Sequence, residues 1–311
     1  MLNYKSVIKS RTLRVRILSF LNWIPDKIMV RIQYWMQTGR WPDLKNPKRF
    51  TEKLQIYKMH YRNPDMLRCT DKYEVREYVQ EKGCDKYLIP LIGVFEHVDD
   101  IDFDSLPDRF VAKSTDGGGG NQVFVCKNKN LLSVEDFKQS IDGWMRMCKA
   151  SKHAGREWAY NNNFARRIVI EEYVGKPNED LIDYKFFCFY GKVKYIYGIS
   201  DRIVGQSAKF GIYDKDFKKL NVSRNDERIQ DRALPKPDNF NEMITLAERL
   251  SCDFPHVRVD LYNTRDNIYF GELTFYDGSG YMSFTPDSFD ETLGDEFDIS
   301  SFHILSYHKD S

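Results

Sequence analysis

Two acidic residues near the end of the chain, Asp260 and Glu272, are spaced so that their carboxylates could act together. Each lies in a run rich in β-branched and aromatic residues, at 257–262 and 268–274. The Asn-, Thr- and Asp-containing segment 263–267 between the runs is typical of a hairpin turn. Carboxylates this close raise each other's pKa unless a cation lies between them. Mg²⁺, held by one or two carboxylates and by phosphate oxygens, is the usual such cation.

The alternation of side chains along a strand predicts which residues share each face of this hairpin. The polar face is expected to carry Arg258, Asp260, Glu272 and Thr274. The apolar face is expected to carry Val257, Val259, Leu261, Tyr269 and Leu273. For the hairpin alone, a solvated polar face of an antiparallel sheet is the alternative to a metal site. Three upstream segments favour the metal site.

The first of these segments contains four consecutive glycines, residues 117–120, between two predicted strands. Consecutive glycines let backbone N–H groups converge on an anion and let a loop close over phosphates without Cβ clashes. Lys113, at the end of the strand before the loop, would place an ammonium group beside those phosphates. A flexible hairpin tip is the alternative. The lysine at the mouth of the loop favours phosphate binding.

The other two segments are strands with charged ends. Residues 168–174 include the paired Glu171 and Glu172 before a Gly/Pro loop, which could offer backbone groups to an adenine edge and carboxylates to ribose hydroxyls. Asp183 and Lys185 share one face of the next strand. A lysine facing two metal-binding carboxylates is a plausible partner for a transferring phosphate, and a cross-strand ion pair at a sheet edge is the alternative.

In this order and spacing, these residues resemble the ATP-grasp superfamily, and specifically its teichuronopeptide-biosynthesis-type (TupA-like) branch, which is associated with bacterial surface polysaccharides. The resemblance covers about residues 30 to 290. The motifs that carry it are residues 110–113 with the glycine loop, 170–173, 183–186, 258–260, 271–275 and 278–280, with leading elements at 47–53 and 70–73.

The resemblance implies a nucleotide clamped between two α+β subdomains, with several residues contacting it. By position, Lys113 would contact the α and β phosphates, and Lys185 and Lys72 would face the outer phosphates. The triphosphate would be covered by the loop residues Gly117, Gly118, Gly119 and Gly120. Adenine would meet Glu171, Glu172, Tyr173 and Val174, and Glu179 is a candidate for the ribose.

The resemblance also implies a metal site and an acceptor site. Asp260 and Glu272 would hold Mg²⁺. Arg258 would bind substrate and steady an anionic intermediate, and Arg258 and Lys185 would be the catalytic residues. The superfamily usually places asparagine two residues after the metal glutamate, where this chain has Thr274, whose hydroxyl is a weaker Mg²⁺ ligand. The acceptor pocket is expected at the turn that follows, formed by Gly278, Ser279 and Gly280.

The expected activity is an ADP-forming ligation that makes a C–N bond. A substrate carboxylate attacks the γ-phosphate of ATP to give an acyl phosphate, and an amine then displaces phosphate to form an amide. The branch suggests an amino acid joined to a uronic acid or a similar glycan unit. The alternative is an ATP-dependent phosphotransferase or a glycosyltransferase-associated enzyme that acts on a sugar of the same pathway, and phosphotransfer to a sugar hydroxyl would use the same residues. A third alternative is a glycan-assembly or binding protein with a vestigial nucleotide site.

Composition limits the other functional classes. The 47 Lys and Arg nearly balance the 46 Asp and Glu, so we expect no nucleic-acid partner. The six cysteines form no CxxC pair, and the HExxH, GxGxxG and GxxxxGK[ST] motifs are missing from the sequence. No apolar run approaches the ~20 residues of a transmembrane helix, and we identify no secretory signal. A cytoplasmic location is expected.

The first 50 residues differ from this neutral body. They hold eleven Lys and Arg, opposed only by Asp26 and Asp43. Their helical periodicity over 7–40, broken at Pro25, could form a basic amphipathic helix that contacts the inner membrane face or a lipid-linked glycan. An ordinary helix pair packed on the body is the alternative.

Further elements must position the chemistry. Helices are predicted at 50–61, 69–81, 133–148 and 239–250, and strands at 87–95, 109–114, 168–174, 182–190, 192–200 and 209–213. Helices followed by strands with single helices inserted favour an α+β architecture with largely antiparallel sheets. We expect a basic N-terminal helical segment at 1–66, a lead-in subdomain at 67–110, a lid subdomain with the glycine loop at 111–180, and a C-terminal subdomain with the metal site at 181–311.

Overall fold

The structure, a computed structural model, describes residues 17, 20–118, 122–146, 155–161, 164–175, 181–203, 207–264 and 267–300. Seven α-helices lie within them: α1 Asp26–Thr38, α2 Phe50–His60, α3 Asp65–Cys69, α4 Val75–Glu81, α5 Val134–Met145, α6 Phe240–Ser251 and α7 Phe289–Asp295. The strands are β1 Leu91–Phe95, β2 Phe110–Ser114, β3 Val123–Cys126, β4 Ile168–Glu172, β5 Ile182–Phe189, β6 Lys192–Ile203, β7 Ser207–Asp214, β8 Ser223–Arg224, β9 Arg228–Ile229, β10 His256–Asn263, β11 Ile268–Thr274 and β12 Phe284–Thr285.

These strands form two principal sheets and a short ribbon. The larger sheet has the order β11-β10-β5-β6-β7-β9, and the smaller has the order β1-β4-β2-β3. All pairings are antiparallel except the short parallel pairing of β7 with β9. The predicted α+β class and the largely antiparallel sheets are therefore confirmed.

Each principal sheet has its own hydrophobic core. The larger core packs α2 and α6 on the six-stranded sheet, with buried residues such as Leu54, Phe186 and Leu250. The smaller core packs α5 on the four-stranded sheet through Phe110, Phe137 and neighbouring residues. Two cores with a sheet each make the chain two packing units. The predicted subdomain boundaries stay a prediction, although β1 of the lead-in segment pairs with β4 of the lid segment.

Most of the predicted elements are present with shifted ends. Helix α1 follows Pro25 and ends at Gly39, whose φ of 77° is the left-handed conformation that favours glycine at a helix end. The part of the predicted N-terminal helix before it includes a 3₁₀ turn, Leu21–Trp23. Residues 1–16, 18 and 19 lie outside the described residues. No described helix has the length and apolarity needed to cross a membrane.

The predicted continuous helix over 69–81 is wrong, because the chain turns between α3 and α4. The Asp71 carboxylate accepts hydrogen bonds from the backbone N–H of Tyr73 at 2.9 Å and of Glu74 at 3.1 Å. An Asp side chain that bonds nearby backbone donors offers them an alternative to helical bonds and favours a turn. Helix α4 then ends before Gly83, as expected, and Gly83 has a φ of 62°.

The predicted faces of the hairpin are correct except for Tyr269. Strand β11 contains a bulge: Asp260 pairs with Glu272, but Leu261 pairs with Phe270, so Gly271 is an extra residue. A bulge reverses the alternation beyond it. Ile268 and Phe270 therefore lie on the buried face, and Tyr269 is opposite Tyr262 on the other.

Candidate active site

The candidate site is built on three adjacent strands at one side of the larger sheet. Asp260, on β10, lies opposite Lys185 on β5 and opposite Glu272 on β11. Directly opposed residues of antiparallel strands project from the same face. One lysine and two carboxylates therefore form a row across the sheet.

Hydrogen bonds hold the charged groups of this row together. Arg258 donates through Nε to Asp260 Oδ1 at 2.7 Å and through Nη2 to Asp260 Oδ2 at 2.8 Å. Lys185 Nζ contacts Asp260 Oδ2 and lies 3.1 Å from Asp183 Oδ2. The same Arg258 Nη2 donates to Thr274 Oγ1 at 3.1 Å and lies 3.5 Å from Glu272 Oε1. Arg258 therefore contacts each of the three predicted metal ligands.

The cations keep the buried acid ionised. Burial alone would raise the pKa of Asp260, but the adjacent Arg258 and Lys185 charges outweigh burial and hold this pKa below its ordinary value. Burial likewise would lower the pKa of Lys185, and the Asp183 and Asp260 carboxylates instead raise it. The site therefore keeps both signs of charge at neutral pH. The residues that could meet phosphate and the residues that could meet a cation are held side by side.

The oxygen atoms of Asp260, Glu272 and Thr274 fit a hard cation. Both carboxylates project from one face of the sheet, and the Glu272 side chain is 44% exposed and open to a ligand. Among the described residues, no group of three or more His, Cys, Asp and Glu side chains could hold a metal. The protein would thus supply two carboxylates and a hydroxyl, and phosphate and water the remaining ligands, which is the usual way Mg²⁺ is bound.

Asp277 is a member of this cluster that sequence reasoning missed. Its Oδ1 contacts Arg258 Nη1, and its Oδ2 accepts a hydrogen bond from Arg224 Nη1 at 3.2 Å. Burial would raise the pKa of Asp277, but Arg258 and Arg224 lower it. Asp277 thus holds Arg258 from the side away from Asp260. The available signal was an acid three residues after Thr274 that begins the predicted acceptor turn.

On the smaller sheet, the structure brings Lys113 and Glu171 together. Lys113 Nζ lies 2.7 Å from Glu171 Oε2, and Arg76 Nη1 lies 3.1 Å from Glu171 Oε1. Glu172 is exposed on the opposite face of β4, as alternation requires. The two glutamates of the predicted adenine segment therefore do not share a surface. Beyond them, Tyr173 packs under the guanidinium of Arg109, 4.5 Å from ring centroid to Arg109 Cζ.

The glycine loop begins beside Lys72. Lys72 donates its backbone N–H to Thr115 O at 2.9 Å, and its Nζ contacts Gly117 O. A Cβ at Gly117 would lie 2.8 Å from Gln122 Oε1, whereas a Cβ at Gly118 would meet nothing within 4 Å. Gly119, Gly120 and Glu179 lie outside the described residues.

Lys72 links the two packing units electrostatically. Burial lowers its pKa, Lys113 of the smaller sheet lowers it further, and Glu272 of the larger sheet opposes the shift. Lys72 therefore contacts the glycine loop and interacts electrostatically with Glu272 of the carboxylate row. Tyr160 is a second residue that sequence reasoning missed here: burial raises its pKa, and its charged neighbours include Glu272 and Arg258.

The predicted acceptor turn is fixed by helix α2. Gly278, Ser279 and Gly280 all have positive φ, at 49°, 57° and 70°. Lys58 Nζ donates to Ser279 O at 2.8 Å, and Gln55 Nε2 donates to Gly280 O at 2.8 Å. Burial lowers the pKa of Lys58 to about 8. The turn is thus rigid and directly follows β11.

Comparison with known proteins gives one family match and several distant structural matches. The family model described as TupA-like ATPgrasp matches residues 52–298. The chain is similar to D-alanine–D-alanine ligase from Bacillus anthracis, with 18% identity, a TM-score of 0.41 and coverage of 67% of this chain and 57% of that one. For the complex of that ligase with ATP, the identity is 16%, the TM-score is 0.44, and the match covers 76% of this chain and 67% of that one.

A third similar structure is N5-carboxyaminoimidazole synthetase from Staphylococcus aureus complexed with ADP, with 13% identity, a TM-score of 0.36 and coverage of 66% of this chain and 44% of that one. The chain thus spans little more than half the length of the first ligase and less than half of the synthetase. No curated protein sequence matches the chain.

Proposed function

The chain belongs to the TupA-like ATP-grasp family, and we propose that it is an ATP- and Mg²⁺-dependent carboxylate–amine ligase that acts through an acyl phosphate. The observation that carries the proposal is the row of Lys185, Asp260 and Glu272 across adjacent strands, held by Arg258. Lys72 contacts the glycine loop and interacts electrostatically with Glu272 of this row. Cations and oxygen donors are therefore close together, and both are needed to bind a nucleoside triphosphate with Mg²⁺.

The role proposed for the metal is to neutralise charge. Mg²⁺ bound by Asp260 and Glu272, with Thr274 as a third oxygen, would neutralise charge on the triphosphate. Asp260 suits this role because its lowered pKa keeps it ionised at neutral pH.

Lys185 and Arg258 would stabilise the transferring phosphoryl group. In the first step, an oxygen of the substrate carboxylate attacks the γ-phosphorus, the bond from that phosphorus to the bridging oxygen breaks, and ADP leaves. Negative charge spreads over the γ-phosphoryl oxygens during this transfer, and fixed cations stabilise it. Both side chains are held in place beforehand by hydrogen bonds to Asp260.

In the second step, an amine nitrogen attacks the acyl carbon, phosphate leaves, and the proton lost by the nitrogen passes to solvent. No side chain of the protein becomes covalently bound. We propose that the amine is an amino acid and the carboxylate a uronic acid or similar unit of a bacterial surface polysaccharide, a substrate class supported by family membership alone. The rigid turn at 278–280 would bind on the acceptor side, because it directly follows β11.

A screen of carboxylate and amine pairs for ADP release tests the proposal. Hydroxylamine should intercept the acyl phosphate as a hydroxamate when the correct acid is present. Asp260→Asn should abolish ADP release, and Asp231→Asn, which alters an exposed surface acid, should not. A phosphorylated sugar without hydroxamate would instead establish phosphotransfer. If the protein bound no adenosine polyphosphate in the presence of Mg²⁺, both ligation and phosphotransfer would be ruled out.

A further inference from the structure

Exposed aromatic and aliphatic side chains are concentrated on helix α1 and the segments beside it. We define the N-terminal apolar patch as Phe20, Trp23, Ile28, Trp35, Met36 and Trp41. Twelve large apolar side chains are exposed among the described residues, and seven of them fall between residues 17 and 41. Phe20 is 80% exposed and Trp23 is 76% exposed. Such clustering marks an interaction surface, because scattered exposed apolar residues would need no explanation.

The patch is held rigidly on the body of the protein. The inner side of α1 buries Met29, Val30 and Tyr34, and Tyr34 Oη is 2.8 Å from Thr51 Oγ1. Arg156 donates through Nη2 to Leu21 O at 3.0 Å, which fixes the segment before α1. The inner side of α1 therefore packs against the body of the protein. The outer side carries Ile28, Trp35 and Met36, which are exposed.

Positive charge flanks this outer side. Lys27 and Arg31 are exposed, and at 3.6 residues per turn they lie on one edge of the arc that contains Ile28, Trp35 and Met36. The sequence of residues 1–16 adds five further Lys and Arg and no Asp or Glu.

The two acids of the first 50 residues are already engaged. Asp26 Oδ1 lies 2.8 Å from Arg156 Nη1. Asp43 Oδ1 accepts hydrogen bonds from the backbone N–H of Lys45 and of Asn46, both at 3.0 Å.

We infer that the N-terminal apolar patch docks the protein on an anionic lipid surface, with α1 lying parallel to that surface. Tryptophan side chains favour the boundary between lipid headgroups and acyl chains, and basic residues at the edge of the same helix are attracted to acidic lipid. The 13-residue helix is too short to cross a bilayer and suits an interfacial position. The inference goes beyond the proposed ligation and does not depend on it.

Co-sedimentation of the full chain with lipid vesicles tests the inference without ATP. The protein should bind vesicles of phosphatidylcholine mixed with phosphatidylglycerol, and should bind pure phosphatidylcholine far less. A Lys or Arg near an acidic surface contributes about 1 kcal/mol, or about fivefold in affinity. Lys27→Glu combined with Arg31→Glu should therefore weaken binding by at least about 30-fold, and the triple variant Phe20→Ser, Trp23→Ser, Trp35→Ser should lose it.

Matched controls use exposed residues elsewhere. Leu131→Ser removes an apolar side chain that is 85% exposed, and Lys127→Glu with Lys218→Glu reverses two exposed charges. Both control variants should bind like the unaltered protein. Equal binding by the triple variant and Leu131→Ser would overturn the inference. It would also be overturned if vesicles were not bound and the triple variant instead changed the oligomeric state, since the patch would then be a protein interface.

Discussion

At the scale of single residues, Thr274 occupies the position where the family resemblance leads one to expect asparagine. Its hydroxyl accepts a hydrogen bond from Arg258 Nη2 and donates one to Glu272 Oε1 at 3.2 Å. Thr274→Val keeps the shape of the side chain and removes both bonds, so the only side-chain hydrogen bond that Glu272 keeps among the described residues is the contact of 3.5 Å with Arg258 Nη2. We predict that the apparent Kd for Mg²⁺, measured by the Mg²⁺ dependence of nucleotide binding, rises about tenfold.

Thr274→Ser is the matched control, since it keeps the hydroxyl and removes only the methyl group. It should keep Mg²⁺ dependence close to that of the unaltered protein. If the valine and serine variants behaved alike, the hydroxyl would have no part in the metal site.

His256 should make the fold sensitive to acid. Its Nδ1–H donates to Cys188 O at 3.0 Å, and Nε2 has no hydrogen-bond partner within the described part of the chain. Burial lowers the pKa of His256 from 6.5 to about 3. Between these pH values the unfolded chain binds a proton that the folded chain does not, so stability is complete above pH 6.5 and falls as pH decreases, by about 1.4 kcal/mol per pH unit.

His256→Phe should remove this component, because the ring already packs among Phe50, Phe189 and Phe297. Denaturant unfolding across pH 3 to 7 would measure the change in slope. His97→Phe, at an exposed position, is the control and should leave the acid dependence unaltered. If His256→Phe and His97→Phe reduced the acid sensitivity of stability equally, His256 would be excluded as the source of that sensitivity.

At the scale of elements, the bulge at Gly271 lets Glu272 lie opposite Asp260 while Ile268 and Phe270 face the core. A Cβ at Gly271 would lie 3.0 Å from Asp260 O and 3.2 Å from the Tyr262 ring. We predict that Gly271→Ala lowers the free energy of unfolding by about 1–2 kcal/mol, because the added methyl group pushes against backbone. It should also weaken Mg²⁺ binding, since Glu272 follows directly.

Gly143→Ala gives the opposite expectation within the same protein. A Cβ there meets nothing within 4 Å, and the position lies inside helix α5. This substitution should stabilise the protein by up to about 1 kcal/mol. Thermal or denaturant unfolding of both variants would measure the contrast, and equal effects would contradict the account of the bulge.

The turn after β11 contributes a second element-scale prediction through Asp277. Removing one partner of a buried ion pair leaves an uncompensated charge and costs about 3–5 kcal/mol. Asp277→Asn leaves the buried Arg258 without that carboxylate, so unfolding by denaturant should reveal a loss of this order. Asp226→Asn removes the exposed partner of Arg224, and a surface pair contributes at most about 1 kcal/mol. A small effect at Asp277 would show that Arg258 is held sufficiently by Asp260.

At the scale of the whole molecule, Lys72 interacts with both packing units, since its Nζ contacts Gly117 O and its pKa responds to Glu272 of the larger sheet. A ligand that binds only the folded protein stabilises it by about 2.7 kcal/mol at a concentration of 100 times Kd. We predict that a non-hydrolysable ATP analogue with Mg²⁺ raises Tm, and that Lys72→Met largely removes this rise, because Lys72 contacts the glycine loop and lies near Glu272.

Lys127→Met is the control for that experiment, since Lys127 is exposed on the surface of the smaller unit. It should retain the full shift of Tm. An unchanged shift in Lys72→Met would mean that Lys72 takes no part in binding nucleotide.

Much of this fold follows from local patterns in the sequence. Alternating apolar residues predicted β4, β5, β10 and β11 with small errors at their ends. Helical periodicity with Ser133 at the N-cap predicted α5, and the Ser133 Oγ accepts the Asp136 N–H at 3.2 Å. These patterns depend on neighbours within a few residues, so they can be recognised without knowledge of the tertiary structure.

Alternation within each strand is enough to predict that Arg258 shares a face with Asp260, and Glu272 with Thr274. The folded sheet was needed to show that Asp260 lies opposite both Glu272 and Lys185, that Asp277 holds Arg258, and that the bulge at Gly271 turns Tyr269 to the other face. Pairing between distant strands, and the place of a bulge in them, depend on burying the whole sheet against its helices. No local pattern in the chain specifies that register.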